Sequence, residues 1–259
     1  MDVTRRAGIR DIYRLLYDAW GCQHWWPAQS RFEVIVGAYL TQNTSWTNVE
    51  VALAKLRSAR LLTIEGIRRT PEAKLATLIR SSGYFRQKAR RLKVFVSFLD
   101  TRYGGSLRRM FGQPTGTLRE ELLALNGVGP ETADSILLYA GNHPVFVVDA
   151  YTRRVLERHE IVSATAGYEE IRRLCEAALA EMYSTNERSR ERKAMAEVRV
   201  GPGGSCHRPS RVSEGRRTAL VQGFNEMHGL VVGVGKNYCL KSQARCEECP
   251  LQKLLPAAE

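Results

Sequence analysis

The chain of 259 residues is 44% hydrophobic and 25% charged, close to the average for globular proteins, which excludes a wholly disordered chain. No apolar run approaches the ~18 residues that a membrane span needs, and the N-terminal residues lack the apolar core of a secretory signal. Lysine and arginine total 39 against 27 acidic residues, a net charge of +12. This charge favours a polyanionic partner, with a solvated basic surface as the alternative. We therefore expect a cytoplasmic protein that does not enter a membrane.

Apolar residues recur with the period of an amphipathic helix along most of the chain. Three such stripes are formed by Phe32, Ile35, Val36, Tyr39 and Leu40; by Leu92, Phe95, Val96 and Leu99; and by Ala133, Ile136, Leu137 and Ala140. The one good strand candidate, Val145 to Val148, is too short to make a sheet. The pattern predicts an all-α fold.

Residues 117–140 predict a hairpin of two helices joined by the tight turn Gly127-Val128-Gly129. The second helix begins at Pro130, where proline is favoured at the first helical position. The glycines allow backbone N–H groups at this helix N-terminus to approach an anion closely. A DNA phosphate fits such a site without any base being read, and an ordinary turn between helices is the alternative.

Residues 184–217 depart from the helical pattern. They contain nine Lys or Arg, four Glu and few large apolar residues. Such a segment buries too little apolar surface to offset the entropy cost of ordering. It predicts a disordered basic insertion, which either adds nonspecific DNA affinity or is only a solvated loop.

The hairpin and the residues after it resemble the helix-hairpin-helix and Gly/Pro-Asp motif of the endonuclease III superfamily of DNA glycosylases. The matching residues are Leu125 to Gly129, Thr132-Ala133, Val147-Val148-Asp149 and Arg153. The resemblance implies two helical domains, 28–140 and 1–27 with 141–259, and a DNA-binding groove between them. It also implies that Asp149 is catalytic. An aspartate here also suits the N-cap of the following helix, and the two roles are compatible.

Glu131 stands where bifunctional members of this superfamily have a lysine that attacks the sugar as a Schiff-base nucleophile. A carboxylate cannot form a Schiff base, so the resemblance implies a monofunctional enzyme. Glu131 is then either a group that acts behind Asp149 or an exposed acid of the first helical turn. Lys88 is the residue considered as a substitute nucleophile, although nothing in the sequence favours it.

The N-terminal half is similar to the 3-methyladenine DNA glycosylase branch of the superfamily. The similarity rests on Trp25-Trp26-Pro27, Leu40 to Trp46, Ser82 to Phe85 and Gln87 to Leu92. It implies that Trp25, Pro27 and Trp46 stack on a base extruded from DNA, and that Gln42 fills the gap that this base leaves. Indole faces attract the positive charge of an alkylated purine. Packing in the core is the alternative for these tryptophans.

Cys239, Cys246 and Cys249 have the spacing C-x6-C-x2-C, which the superfamily's iron–sulfur loop completes with a fourth cysteine five residues on. Leu255 occupies that position here. The resemblance therefore implies a degenerate loop at 239–249, which holds a 4Fe–4S or 3Fe–4S cluster or is a relic with free thiols. Zinc bound with the help of His228 is another alternative, and Cys206 is a weak substitute ligand.

Together these features predict hydrolysis of the N-glycosidic bond of a damaged base, most simply an alkylated purine, in duplex DNA. We expect a monomer associated with the nucleoid in the cytoplasm. Two alternatives remain: an oxidised-pyrimidine glycosylase with abasic-site lyase activity, and a catalytically silent DNA-binding module.

Overall fold

The computed structural model describes residues 2–184 and 207–256. In chain order the helices are α1 (Asp2–Trp20), α2 (Arg31–Thr41), α3 (Trp46–Ser58), α4 (Ile64–Arg69), α5 (Glu72–Leu78), α6 (Phe85–Tyr103), α7 (Leu107–Met110), α8 (Thr115–Leu123), α9 (Pro130–Ser135), α10 (Ala150–Arg158), α11 (Tyr168–Ser184) and α12 (Ala219–Asn237). A π-helical turn, Ile136–Ala140, continues α9, and 3₁₀ turns cover Arg80–Ser82, Cys246–Glu248 and Gln252–Leu254. The described residues contain no strand, only an isolated bridge between Cys239 and Ala244, which confirms the all-α prediction.

The chain divides into two compact units, Ala28–His143 and Met1–Pro27 with Pro144–Glu259. In the first unit α2 is central: Ser30 caps its N-terminus, and every residue from Phe32 to Leu40 is buried. It packs against α3, α6 and the π-helical turn. A helix that is apolar on all sides must be enclosed by others, so the hairpin of α8 and α9 is built onto a rigid core.

In the second unit α12 is the central helix. Thr218 caps its N-terminus, almost the whole helix is buried, and it packs against α1, α10 and α11. A Cβ atom added at Gly235 would lie 2.2 Å from the ring of Tyr151, so glycine is what allows α10 and α12 to approach so closely. This approach brings the beginning of α10 next to the middle of α12.

Residues Val145 to Val148 are buried and have no regular secondary structure, and they pair with no strand in the described part of the chain. Their backbone N–H groups instead find side-chain acceptors: Phe146 N donates to Glu176 Oε1 at 3.0 Å, and Val148 N donates to Tyr168 Oη at 3.4 Å. Helix α11 therefore supplies the hydrogen bonds that a neighbouring strand would otherwise provide.

The end of the predicted insertion is ordered, which corrects its C-terminal limit. Residues 207–217 form a turn in which Ser210 and Ser213 are buried and hydrogen-bonded to each other. His207 N donates to Gln23 O at 3.1 Å and Ser210 Oγ donates to Trp26 O at 3.3 Å. These contacts offset the lack of apolar residues. Residues 185–206 of the predicted insertion, including Cys206, lie outside the described residues.

Within the part of the chain that the structure describes, no helix has both the length and the apolar character that crossing a membrane requires.

Candidate active site and cysteine cavity

The turn between α8 and α9 requires glycine at its first position. Gly127 has a φ of +79°, and an added Cβ would lie 2.0 Å from Nε of Arg91. Val128 points into the core and is 7% exposed. Gly129 precedes α9 and is open to solvent, with nothing within 4 Å of a Cβ built there. The predicted hairpin is thus present, with its second glycine accessible to an approaching ligand.

Gln42 is fixed against this hairpin. Its side-chain Nε2 donates to Gly127 O and to Thr132 Oγ1, both at 2.9 Å. Its Oε1 accepts a hydrogen bond of 2.7 Å from Arg91. An amide held by three hydrogen bonds has a defined orientation at the hairpin, which sequence spacing alone did not predict.

Lys88 is buried in the same unit and is not available as a nucleophile in this conformation. Its Nζ donates to the backbone oxygens of Leu40 and Ser82 at 2.8 and 2.5 Å. Burial, assisted by the positive charge of Arg91, lowers the pKa of Lys88 to about 8. The side chain ties the end of α2 to the 3₁₀ turn at Arg80–Ser82. Glu131, by contrast, is an exposed residue in the first turn of α9.

Trp46 is the first residue of α3, directly after the N-cap Ser45, and it is half-buried. It lies in the unit that contains Gln42 and the hairpin. A half-buried indole at a helix start has a packed side and an accessible side, so both interpretations made from the sequence fit its position.

Asp149 lies immediately before α10 and caps it: its Oδ1 accepts a hydrogen bond of 2.7 Å from Thr152 N. Its Oδ2 lies 3.4 Å from Nε2 of His228 on α12. Burial favours the neutral acid, but the charge and proximity of His228 and the hydrogen bonds from Thr152 outweigh it. The pKa of Asp149 therefore lies below its ordinary value. A carboxylate held ionised at a helix N-terminus is suited to stabilise positive charge.

Trp25 packs against His228, the residue that faces Asp149. The indole is 8% exposed and meets His228 edge to face, with ring centroids 5.8 Å apart. His207 lies on it at 5.3 Å, and Trp26 meets it at 5.8 Å. Trp25 and Trp26 lie in a loop rather than on a helix, and both are buried. Pro27 follows and is half-buried.

The loop that carries Trp25 is anchored by Glu226, a fully buried residue of α12. Its carboxyl group accepts hydrogen bonds from Gln23 N at 2.6 Å, from Cys22 Sγ at 3.1 Å and from Gln222 Nε2 at 2.6 Å. Burial raises the pKa of Glu226, although these hydrogen bonds oppose the rise. Local sequence patterns cannot indicate this role, because Gln23 and Glu226 are 203 positions apart along the chain.

The three C-terminal cysteines line one cavity, together with Leu255 at the position of the missing fourth cysteine. Arg158 donates to Cys239 Sγ at 3.3 Å, and Arg154 donates to Cys239 O at 2.7 Å. Burial raises the pKa of Cys249, and a hydrogen bond from the Leu251 backbone acts against the rise. The structure thus brings the three cysteines of the predicted loop to one cavity, with two guanidinium groups nearby.

The zinc alternative fits less well. His228, its suggested fourth ligand, lies against Asp149 and Trp25 and does not line the cysteine cavity. Among the described residues no group of three or more His, Cys, Asp or Glu side chains is placed to hold a metal ion.

The predicted site residues thus fall into two groups. Gln42, Trp46, Glu131 and the turn 127–129 belong to the unit Ala28–His143, whereas Trp25, Pro27, Asp149 and the cysteines belong to the other unit. His228 and Glu226 are the contributors to the second group that the sequence did not identify in these roles.

Comparison with known proteins defines the class. The family model of the HhH-GPD superfamily of base excision DNA repair proteins matches residues 36–181, and the chain belongs to this superfamily. The match includes the hairpin and Asp149, which confirms the family resemblance drawn from the sequence.

Individual relatives agree with this assignment. A Methanocaldococcus jannaschii protein named as a putative DNA repair glycosylase is 38% identical over 246 residues, covering 95% of this chain and 94% of the relative. Helicobacter pylori 3-methyladenine DNA glycosylase, solved with 1,N6-ethenoadenine, superposes with a TM-score of 0.65 and 26% identity over 88% of this chain and 97% of that chain. A trapped endonuclease III–DNA intermediate superposes with a TM-score of 0.66 at 20% identity, over 98% and 95% of the two chains, which shows a shared fold.

Proposed function

We propose that this protein is a monofunctional DNA N-glycosylase that releases alkylated purines from duplex DNA by hydrolysis. The observation that carries the proposal is the position of Asp149, ionised at the N-terminus of α10 between Thr152 N and His228. Departure of a base leaves positive charge on the sugar, and a preorganised carboxylate stabilises such charge or orients the attacking water.

The substrate class follows from the charge of the alkylated base. A cationic purine has a weakened glycosidic bond and is attracted to indole faces by about 0.5–2 kcal/mol. Trp25, with its ring fixed by His228 and Trp26, and the half-buried Trp46 are the stacking residues in this proposal. The likeness to a 3-methyladenine DNA glycosylase solved with 1,N6-ethenoadenine supports a modified purine.

Duplex DNA is the proposed partner, and a monomer suffices to bind it. The exposed Gly129 at the start of α9 is suited to a phosphate contact, and the net charge of +12 favours a polyanion. In this proposal Gln42 exchanges its hydrogen bonds to the hairpin for contacts in the DNA gap when the base is extruded.

The lyase alternative needs an amine at the sugar. Glu131 occupies the family lysine's position, and Lys88 is buried with its Nζ bound to two carbonyl oxygens. Both observations favour hydrolysis by water over Schiff-base chemistry.

An iron–sulfur cluster, if bound, would be held by Cys239, Cys246 and Cys249, and it would supply a rigid anionic centre in the C-terminal loop. Arg154 and Arg158 connect this loop to α10, the helix that Asp149 caps. The exposed Lys241, Arg245 and Lys253 around the loop are suited to phosphate contacts.

The test is mass-spectrometric detection of free bases released from three duplexes: methylated DNA, DNA with 1,N6-ethenoadenine, and DNA with oxidised pyrimidines. We expect methylated purines to be the main free bases released. Release of oxidised pyrimidines alone would favour the lyase-type glycosylase, and no release from any duplex would favour the silent DNA-binding module.

A further inference from the structure

His228 is a buried titratable residue for which the family resemblance provides no role. It lies in the middle of α12, is 5% exposed, and has Nε2 at 3.4 Å from Oδ2 of Asp149. The other oxygen of Asp149, Oδ1, accepts the hydrogen bond from Thr152 N. His228 therefore contacts the oxygen that does not cap α10.

The imidazole ring is held in place by aromatic neighbours. Trp25 meets it at 5.8 Å with an interplanar angle of 62°, and Phe146 meets it at 6.5 Å and 76°. Phe146 in turn packs edge to face on Phe224, one turn earlier on α12. A ring confined in this way loses little further entropy when it orients a carboxylate, which is what a positioning group requires.

Three titratable groups near His228 have identified contacts in the described part of the chain. Asp149 approaches from the N-terminus of α10. Glu226, on α12 itself, is engaged by Cys22, Gln23 and Gln222, and His207 lies on the Trp25 ring. Asp149 is the carboxylate that the structure places within ion-pair distance of the ring.

We propose that His228 is the positioning residue of Asp149, and that its ring keeps the carboxylate in one orientation. The inference rests on the proposed function, because it assigns a partner to the same carboxylate. Oδ1 is held by Thr152 N, and the 3.4 Å contact of Nε2 with Oδ2 holds the second oxygen, so the carboxylate is fixed at both ends. A carboxylate fixed before the base leaves stabilises the positive charge of the sugar without having to reorient.

A split between kcat and KM separates this role from a purely structural one. His228→Gln keeps a side-chain donor next to Asp149, so this variant should retain most of the wild-type kcat for excision of a methylated purine, with KM nearly unchanged.

A second variant tests orientation. His228→Phe keeps an aromatic ring between Trp25 and Phe146 but has no donor, so kcat should fall about 10- to 100-fold, as expected for one hydrogen bond to a charged group, with KM nearly unchanged. The matched control is His143→Gln, which alters a buried histidine in the other unit that contacts Thr115. The control should keep the wild-type kcat and KM. Full activity in His228→Phe, or an equal loss of kcat in His228→Gln and His228→Phe, would overturn the proposal.

NMR of the His228 ring protons tests the pair without any turnover, with His228→Gln identifying the signals. At constant pH these signals should change their chemical shift in Asp149→Asn, because the negative charge next to Nε2 is removed. Unchanged signals would refute the pairing alone. Wild-type base release by Asp149→Asn would instead refute the catalytic role of Asp149, and with it the proposed function.

Discussion

The carboxyl group of Asp149 has two kinds of contact, one structural and one electrostatic. Its Oδ1 caps α10 through Thr152 N, and its Oδ2 faces His228. The cap fixes where the carboxylate lies, and the helix N-terminus adds a favourable field for negative charge. The sequence predicted both the cap and the candidate catalytic role, since both follow from one position after the hairpin. It could not predict the contact with His228, which depends on how α10 and α12 pack.

Trp46 offers the most direct test of base recognition. Trp46→Ala should cost about 1–3 kcal/mol of stacking energy with an extruded base. The loss should be larger for a cationic methylpurine than for a neutral lesion, because only the former gains the cation–π term. Binding of both lesions by wild type and variant, alongside thermal melting, measures this. Equal losses for both lesions, or a large fall in thermal stability without a change in preference, would show that Trp46 is a packing residue.

The two glycines of the hairpin turn, Gly127 and Gly129, should contribute differently to the stability of the fold. Gly127→Ala should destabilise the fold by about 1–3 kcal/mol, because a non-glycine residue at positive φ is strained and its Cβ would displace Arg91 from Gln42. Gly129→Ala is the matched control: it has open space and a negative φ, so its cost should stay below about 1 kcal/mol. Urea unfolding measures both.

Binding of abasic-site DNA completes the comparison of the two glycines. Gly129→Ala should bind this DNA more weakly than wild type despite its near-normal stability, because a side chain now separates the phosphate from the backbone. Normal affinity in this variant would mean that the turn is a structural connection only.

The second hairpin helix bears on mechanism through Glu131. Borohydride reduction of the protein on lesion-containing DNA should trap no covalent adduct, because no lysine stands at this position and Lys88 is held by Leu40 and Ser82. Gel electrophoresis of the reduced mixture is the measurement. A strong trapped band that survives removal of the N-terminal amine would reveal another nucleophile and restore the lyase interpretation.

The elements themselves divide into those that the sequence predicts and those that it cannot. The helical period of the apolar residues and the position of Pro130 predict α9, because both signals are local in the sequence. The segment from Val145 to Val148 has strand-like residues, yet acceptors from α11 satisfy its backbone. The hydrogen bond between Gln23 N and Glu226 cannot be predicted from the sequence either, because it joins a loop and a helix that meet only in the folded chain.

The molecule as a whole keeps the cysteine loop close to α10 although one ligand position is occupied by Leu255. Anaerobically purified protein should absorb broadly near 400 nm, as expected for iron–sulfur chemistry in this family, and contain sub-stoichiometric, labile iron. Three thiolates leave one iron without a cysteine ligand, so that iron should be lost first in air.

Leu255→Cys is the corresponding gain-of-function variant. It restores the spacing C-x6-C-x2-C-x5-C at a position that already lines the cavity, so it should raise the iron content and slow bleaching. Leu254→Cys, one residue away and off this spacing, serves as the control and should do neither. Iron-free wild type that is folded and fully active would show a relic loop, and stoichiometric zinc would refute the cluster.

Single-turnover release of free base from methylated duplex DNA measures whether Asp149 enables hydrolytic base release. Asp149→Asn retains a good N-cap residue and so should keep α10 folded and abasic-site DNA bound. Its base release should fall at least about 100-fold, the lower end of what a positioned acid–base group contributes. Asp11→Asn, which changes an exposed aspartate of α1, should release base at the wild-type rate. Equal rates for Asp149→Asn and wild type would refute the catalytic role of Asp149.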